Sequence, residues 1–228
     1  MAANGRGILY AAAVDREAVA VLDAFGSDAG VPEPWVTVPI GASGDELLVT
    51  GVGKANAAGA IARCVDAGRH RAVLNVGVCG SLRSDLPVRS VVLGTSSVYA
   101  DEGIAEPDGF RTLASMGFPV LEGSDGSFEA DAALLDRWRD AADAAGPIAT
   151  VSTCSGTDAL ATSVVERTGA IAEAMEGAAI AHALSRLGEG VAFAELRAVS
   201  NFTGDRASQA WDLDGAIARL TEVLGLNR

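Results

Sequence analysis

Glu176 stands in the run Ala174-Met175-Glu176-Gly177-Ala178-Ala179-Ile180-Ala181-His182, a stretch of small residues headed by a carboxylate. Helical spacing puts Glu176 on one face with Ile180, Ala183 and Leu187, so the carboxylate is drawn toward the core. The free N–H groups and dipole of a helix start keep such a group ionised. An ionised acceptor at a pocket edge can hold two adjacent hydroxyls, as a ribose diol presents. A solvated first-turn glutamate gives the same pattern, so a second segment has to be weighed with it. That segment runs from Phe193 to Arg206, with Val191–Val199 reading as a strand and Ser200-Asn201 at its end. Ligands of open parallel α/β sheets sit beyond the carboxyl ends of strands, which makes Asn201 a candidate site residue. Its alternative is an Asx-turn or a helix cap.

These residues need a frame, and composition limits which one. The chain has 228 residues, 49% of them hydrophobic, enough to bury one sizeable α/β core, and 1–228 read as a single domain. A net charge of −13 argues against nucleic acid and anionic membranes as partners. Cys64, Cys79 and Cys154 are odd in number and widely spaced, which points to a reducing cytosol rather than disulfides or zinc. Only His70 and His182 are present, so neither a histidine triad nor a metal site is expected. His182 is expected to pack within its helix. No apolar run approaches the roughly 18 residues of a spanning helix, and Ile8–Val14 runs straight into Asp15-Arg16-Glu17 without a signal pattern. A cytoplasmic protein is expected.

Strand-like runs fall at Gly7–Val14, Glu46–Val49, Ala72–Val78, Ser90–Val98, Ile148–Thr153 and Val191–Ser200. Helical runs fall at Glu17–Phe25, Ala55–Ala67, Glu129–Ala145, Asp158–Arg167, Met175–Leu187 and Asp214–Leu224. Gly26, Gly68, Gly146 and Gly188 are expected helix stops. The alternation predicts a three-layer α/β/α arrangement with a mixed, mainly parallel sheet. Gly103–Gly126, with Pro107 and Pro119, reads as a long loop or lid.

Two glycine turns close strands. Gly51-Val52-Gly53-Lys54 lacks the spacing of a P-loop and is not a dinucleotide fingerprint. Asn75-Val76-Gly77-Val78-Cys79-Gly80 lets a backbone approach a ligand closely. Each is weak alone. In order, followed by Met175-Glu176 and Arg197-Ala198-Val199-Ser200-Asn201, they resemble the nucleoside phosphorylase and nucleosidase superfamily over nearly the whole chain. That resemblance implies a homo-oligomer, without metal or cofactor, that cleaves the N-glycosidic bond of a purine nucleoside. It puts Met175 and Glu176 at the sugar and Asn201 at the purine, with Gly77 and Val78 beside them.

Phosphorolysis would need charge-assisted donors for phosphate. Bacterial phosphorylases of the superfamily carry an arginine before the second turn and a serine after its glycine. Asn75 and Val78 occupy those places here, which favours water as the nucleophile, while Arg16 keeps a phosphorylase as the alternative. The resemblance places the water-activating base at or beside Arg16, so Asp15 and Glu17 are both open, and Glu17 is chosen. Asn201 replaces the aspartate of adenosine-type nucleosidases; an amide can donate to N7 and suits a 6-oxopurine. The Ser155-Gly156-Thr157 turn is expected to meet the base edge, or else simply to cap the next helix. Phe128, Phe193 and Phe202 stand unranked for stacking. The glycine after Glu176, the Val151–Thr157 segment, Gly204-Asp205-Arg206 and Trp211 resemble one branch in particular. Its substrate is a hypoxanthine nucleoside whose sugar carries a ketone-linked benzoate. Arg206, with Trp211 beside it, is the candidate cation for that carboxylate. A nucleoside-binding module without turnover remains the reading from a different class.

Overall fold

Every residue of β1 (Gly7–Ala12) is buried, and its side chains alternate between two cores. Ile8, Tyr10 and Ala12 face one, whereas Leu9 and Ala11 face the other. A strand covered on both faces must lie inside a sheet with helices above and below. The computed structural model describes residues 5–107, 109–187 and 190–227. After β1 come α1 (Asp15–Phe25), β2 (Thr37–Ile40), β3 (Asp45–Val49), α2 (Lys54–Cys64), β4 (His70–Ser81) and β5 (Val91–Tyr99). There follow β6 (Gly103–Glu106), β7 (Gly109–Thr112), β8 (Ser127–Glu129), α3 (Ala132–Trp138), β9 (Ala144–Thr150) and α4 (Asp158–Thr168). The chain finishes with β10 (Ala172–Ala174), α5 (Gly177–Leu187), β11 (Ala192–Phe202) and α6 (Leu213–Leu226).

The main sheet runs β10-β9-β5-β11-β4-β1-β3-β2, with β8 on β5. The β1–β3, β1–β4, β11–β4, β5–β9 and β10–β9 pairs are parallel. The sheet is mixed and mainly parallel, with α1, α3 and α6 over one face and α2 and α5 over the other. The far end of β4 also pairs antiparallel with β10, so β4, β11, β5, β9 and β10 close into a ring. In that ring Gly80 of β4 is the register partner of Glu173 in β10 and of Asn201 in β11.

Several sequence expectations are corrected. Glu129–Ala145 is not one helix. Asp131 caps the short α3 by accepting from Ala133 and Leu134, and a 3-10 turn at Arg139–Ala141 ends it before β9. Gly146 therefore lies inside β9, against Ile171, rather than at a helix end. α2 stops at Cys64 with Val65 as its cap, short of Gly68. Gly26 does close α1 in the left-handed region, while Gly188 lies outside the described residues. The expected loop at 103–126 contains the β6–β7 hairpin and a 3-10 turn at Ala114–Met116. Leu187 is exposed; the buried stripe of α5 runs through Ile180, Ala181 and Leu184 instead.

Candidate active site

Strand alternation sends the odd-numbered side chains of β4 and β11 toward α2 and α5, where Asn75, Glu195 and Arg197 replace apolar residues. Arg197 is 1% exposed and bonds Glu195 Oε1 through Nε and Glu176 Oε2 through Nη2, each at 2.9 Å. Glu195 also accepts from Asn75 Nδ2 at 3.0 Å and Ser97 Oγ at 2.5 Å. A buried guanidinium is tolerable only with its donors engaged and its charge matched. Here the two neighbouring carboxylates hold the Arg197 guanidinium above even its ordinary range, against the opposing effect of burial.

Glu17, 3% exposed, reaches the same place from α1. Its Oε2 accepts from the N–H of Ala13 at 2.9 Å and of Val14 at 3.3 Å, and its Oε1 accepts from Val78 N–H at 2.8 Å. Gly77 makes this approach possible, since a Cβ there would overlap Glu17 Oε1 and lie 2.6 Å from Arg197 Nη1. Burial raises the Glu17 carboxyl above its usual range; the Arg197 guanidinium pulls it down and Glu176 pushes it up. Asp15 and Arg16 point outward, and Arg16 pairs with Asp214 of α6 on the surface. That leaves the phosphorylase alternative without its cation.

Glu176 sits just before α5, and its Oε1 accepts from Gly53 N–H at 3.0 Å. Gly51 and Gly53 have φ of 83° and 91°, so this turn needs glycine at both positions. Its backbone donor and the N-terminus of α2 thus hold a protein carboxylate, not a phosphate. Met175 is half-buried and packs against the small apolar cluster that contains Ala149 and Val151. Next to the turn, Lys54 pairs with Asp101 and with Glu102 at 2.9 Å, while Asp101 accepts from Ser152 N–H at 2.6 Å.

At the ring closure lies a cavity of about 110 Å³ lined by Gly80, Cys154, Ser155, Gly156, Glu173, Asn201, Arg206, Gln209 and Trp211. Drug-sized ligand sites hold about 300–1,000 Å³, so this one takes a fragment of a nucleoside rather than the whole. Asn201 accepts from Ser200 Oγ at 3.0 Å through Oδ1. Its Nδ2 donates to Phe202 O at 2.9 Å and reaches Gln209 Oε1 only at 3.4 Å. Glu173 accepts from Ser155 N–H at 2.8 Å and from Ser155 Oγ at 2.7 Å. Burial raises the Glu173 carboxyl, and the two Ser155 bonds oppose it. Arg206 lies over the Trp211 ring at 4.9 Å and makes no ion pair among the described residues. A larger cavity of about 890 Å³ opens elsewhere, between α5 and the 121–131 segment, away from these groups.

The expected residues therefore form two adjoining clusters. Glu17, Gly77, Val78 and Glu176 meet at Arg197; Asn201, Ser155, Gly156, Arg206 and Trp211 meet at the cavity. Thr157 is outside both, because its hydroxyl caps α4 by accepting from Leu160 N–H. Neither Phe128, stacked on His182, nor Phe193, in the core below α5, reaches the cavity, and Phe202 lines a separate groove. Sequence reasoning missed Glu195 and Glu173 and gave Arg197 no role. An acid–base pair two apart in an apolar strand was the available signal for Glu195 and Arg197.

A sheet closed at one end over buried carboxylates, with a glycine-lined cavity at the strand ends, defines an α/β protein of the nucleoside-cleaving type. The chain belongs to the phosphorylase superfamily, whose family model matches residues 44–224. It is 36% identical to the futalosine hydrolase of Streptomyces coelicolor, over 96% of this chain and 92% of that protein. To the futalosine hydrolase of Acidothermus cellulolyticus it is 35% identical, over 93% of this chain and 86% of the relative. The S-adenosylhomocysteine nucleosidase of Streptococcus pyogenes, solved with 5-methylthiotubericidin, shares the fold. Its TM-score is 0.77 at 23% identity, covering 99% of this chain and 97% of that one.

Proposed function

We propose that this chain is a nucleosidase that hydrolyses the N-glycosidic bond of futalosine, giving hypoxanthine and dehypoxanthine futalosine, in menaquinone biosynthesis. The observation that carries the choice of water over phosphate is the charge around Arg197. Three carboxylates, Glu17, Glu176 and Glu195, share that one guanidinium. A phosphate anion brought to this place would meet net negative charge in a poorly solvated setting, where repulsion is strongly felt. Water meets no such barrier.

In this reading the base enters the cavity at the ring closure and the sugar lies toward Glu176. Glu17 takes a proton from the water that attacks C1′ as the C1′–N9 bond breaks. Glu176, held in place by Arg197, accepts the ribose hydroxyls and sets negative charge beside the oxocarbenium-like carbon. Asn201 exchanges its long contact to Gln209 for a bond to N7, and the departing base takes up the proton. Met175 packs against the sugar, and Gly77 and Val78 line the path of the water. The backbone of Ser155 and Gly156 meets the base, while Thr157 supports them by capping α4. Arg206, without an ion pair among the described residues and lying over the Trp211 ring, receives the benzoate carboxylate. The chain acts as one nucleosidase unit in the cytoplasm and assembles as a homo-oligomer, which light scattering would test.

The deciding experiment follows free base released from futalosine, inosine and methylthioadenosine, with and without phosphate. Phosphate-independent hypoxanthine release from futalosine supports the proposal. Dependence on phosphate would install the phosphorylase. Adenine release would install a nucleosidase for methylthioadenosine, S-adenosylhomocysteine or aminodeoxyfutalosine, and binding without release would leave a non-catalytic module. In the same assay Arg206→Ala should lower activity on futalosine at least about tenfold more than on inosine, the scale of one charge-assisted bond. Equal losses would remove Arg206 from the carboxylate.

A further inference from the structure

The cavity at the ring closure holds a second buried side chain that the hydrolysis leaves unused. Glu173 is 5% exposed in β10, and Asn201 is 6% exposed in β11. Both are register partners of Gly80, one on either side of it. Register partners present their side chains to the same face of a sheet. With strands about 4.8 Å apart, the two Cα atoms stand roughly 10 Å from each other. The position between them has no side chain. A Cβ on Gly80 would meet the Thr203 methyl at 2.6 Å, with Asn201 Nδ2 at 3.4 Å and Glu173 Cγ at 3.7 Å. The cavity thus has a carboxylate on one side and an amide on the other, with Gly80 between them in the lining.

The carboxylate is ready to accept and is not fully used. Ser155 spends two donors on it, its N–H on one oxygen and its hydroxyl on the other. A carboxylate has about four acceptor positions, so two remain. Burial raises the Glu173 carboxyl, and the two Ser155 donors work against it by favouring the accepting form. A buried acceptor with spare lone pairs is costly unless a ligand donor meets it.

We propose that Glu173 reads the base by accepting the N1–H of a 6-oxopurine, with N7 facing Asn201 and O6 between the two side chains. The inference rests on the reading of this cavity as the place of the base. N1 and N7 flank C6, as Glu173 and Asn201 flank Gly80. A 6-aminopurine has a bare N1 lone pair at the same point, which a carboxylate repels. Discrimination between hypoxanthine and adenine is thereby shared between Glu173 and Asn201, with Glu173 contributing the part that depends on the N1 hydrogen.

The test is calorimetric binding of three free bases, hypoxanthine, 1-methylhypoxanthine and adenine, to the wild-type protein and to Glu173→Gln. Glutamine keeps both Ser155 bonds, since its oxygen accepts from the N–H and its amide donates to the hydroxyl; unchanged melting confirms the fold. Wild type should bind hypoxanthine at least about tenfold more tightly than 1-methylhypoxanthine or adenine, the scale of one hydrogen bond to a charged group. In Glu173→Gln the preference over adenine should shrink at least tenfold. A role confined to holding Ser155 would leave that preference intact, and this outcome overturns the proposal. So does equal wild-type affinity for hypoxanthine and its 1-methyl derivative, a result that needs no variant. Failure of the hydrolytic reading shows up separately, as base discrimination that depends on Glu173 without turnover of futalosine.

Discussion

Glu17 has two tasks that pull against each other. Its carboxylate caps the start of α1 through Ala13 and Val14, and the same group faces Arg197 inside the protein. Burial raises its pKa, so it holds a proton to higher pH than an ordinary glutamate near 4.3. In the proposed role of general base it must be ionised to work. Activity should therefore be lost as pH falls through this raised value, and the acid limb of kcat/KM should lie above the ordinary carboxylate range. Glu17→Gln should lower kcat by about 10²–10⁴ and remove that limb, while hypoxanthine affinity, set in the neighbouring cavity, stays within about twofold. A pH profile that keeps its acid limb in the variant would assign the base to another group. Legibility at this scale followed from how unusual each residue was in its surroundings. Glu176 stood out because a carboxylate followed by small residues is odd in a buried helix. Asn201 stood out because it closes an apolar strand. Glu173 gave no such signal, since Ala172-Glu173-Ala174 is too short to display a period, and only its pairing with β4 turns it toward Asn201.

The elements that position these groups were legible where apolar runs were long. β1, β4, β5 and β11 each carry enough buried residues to show themselves. Between β5 and α4 only the end of β9 was legible, in the strand-like run from Ile148. Its start at Ala144 was not, because Ala-rich sequence fits a helix and a buried strand equally well, and pairing with β5 decides. The ring was invisible for a related reason: three residues of β10 make it, by pairing with two strands at once. One consequence can be tested at the start of α5. Helical glycine replaced by alanine ordinarily stabilises, by up to about 1 kcal/mol. Gly177 faces the other way, since a Cβ there would overlap Glu195 Oε2 and lie 2.7 Å from Ser97 Oγ. Gly177→Ala should therefore destabilise by about 1–3 kcal/mol, as overpacking does. Paired with Glu195→Ala, which vacates the space, the same substitution should cost less than it does alone. Chemical denaturation of the four proteins in that cycle gives the answer, and additive losses would mean that the glycine is not there to admit Glu195.

For the whole molecule the dominant feature is the net charge of −13, a sign that keeps the surface repelling itself. The ion pairs among the described residues fall into two kinds with opposite responses to salt. Arg16–Asp214, Arg83–Asp85, Arg139–Asp136 and Arg69–Asp66 are exposed pairs, each worth between nothing and about 1 kcal/mol and weakened by screening. Arg197 with Glu176 and Glu195 is shielded from water, and salt touches it little. Thirty acidic against seventeen basic residues leave many carboxylates without a cation, so the repulsion outweighs the exposed pairs. Screening that repulsion favours the folded state, in which the charges are closest together. Raising sodium chloride from about 0.01 to 0.15 M shortens the screening length from about 30 to 8 Å and should raise Tm. Because the cluster at Arg197 is internally paired, the acid limb of kcat/KM should keep its position over the same range. Calorimetric melting and a pH–rate profile at both salt concentrations measure the two responses side by side. A Tm that falls with salt would mean that the exposed pairs, and not the excess negative charge, govern the stability of this chain.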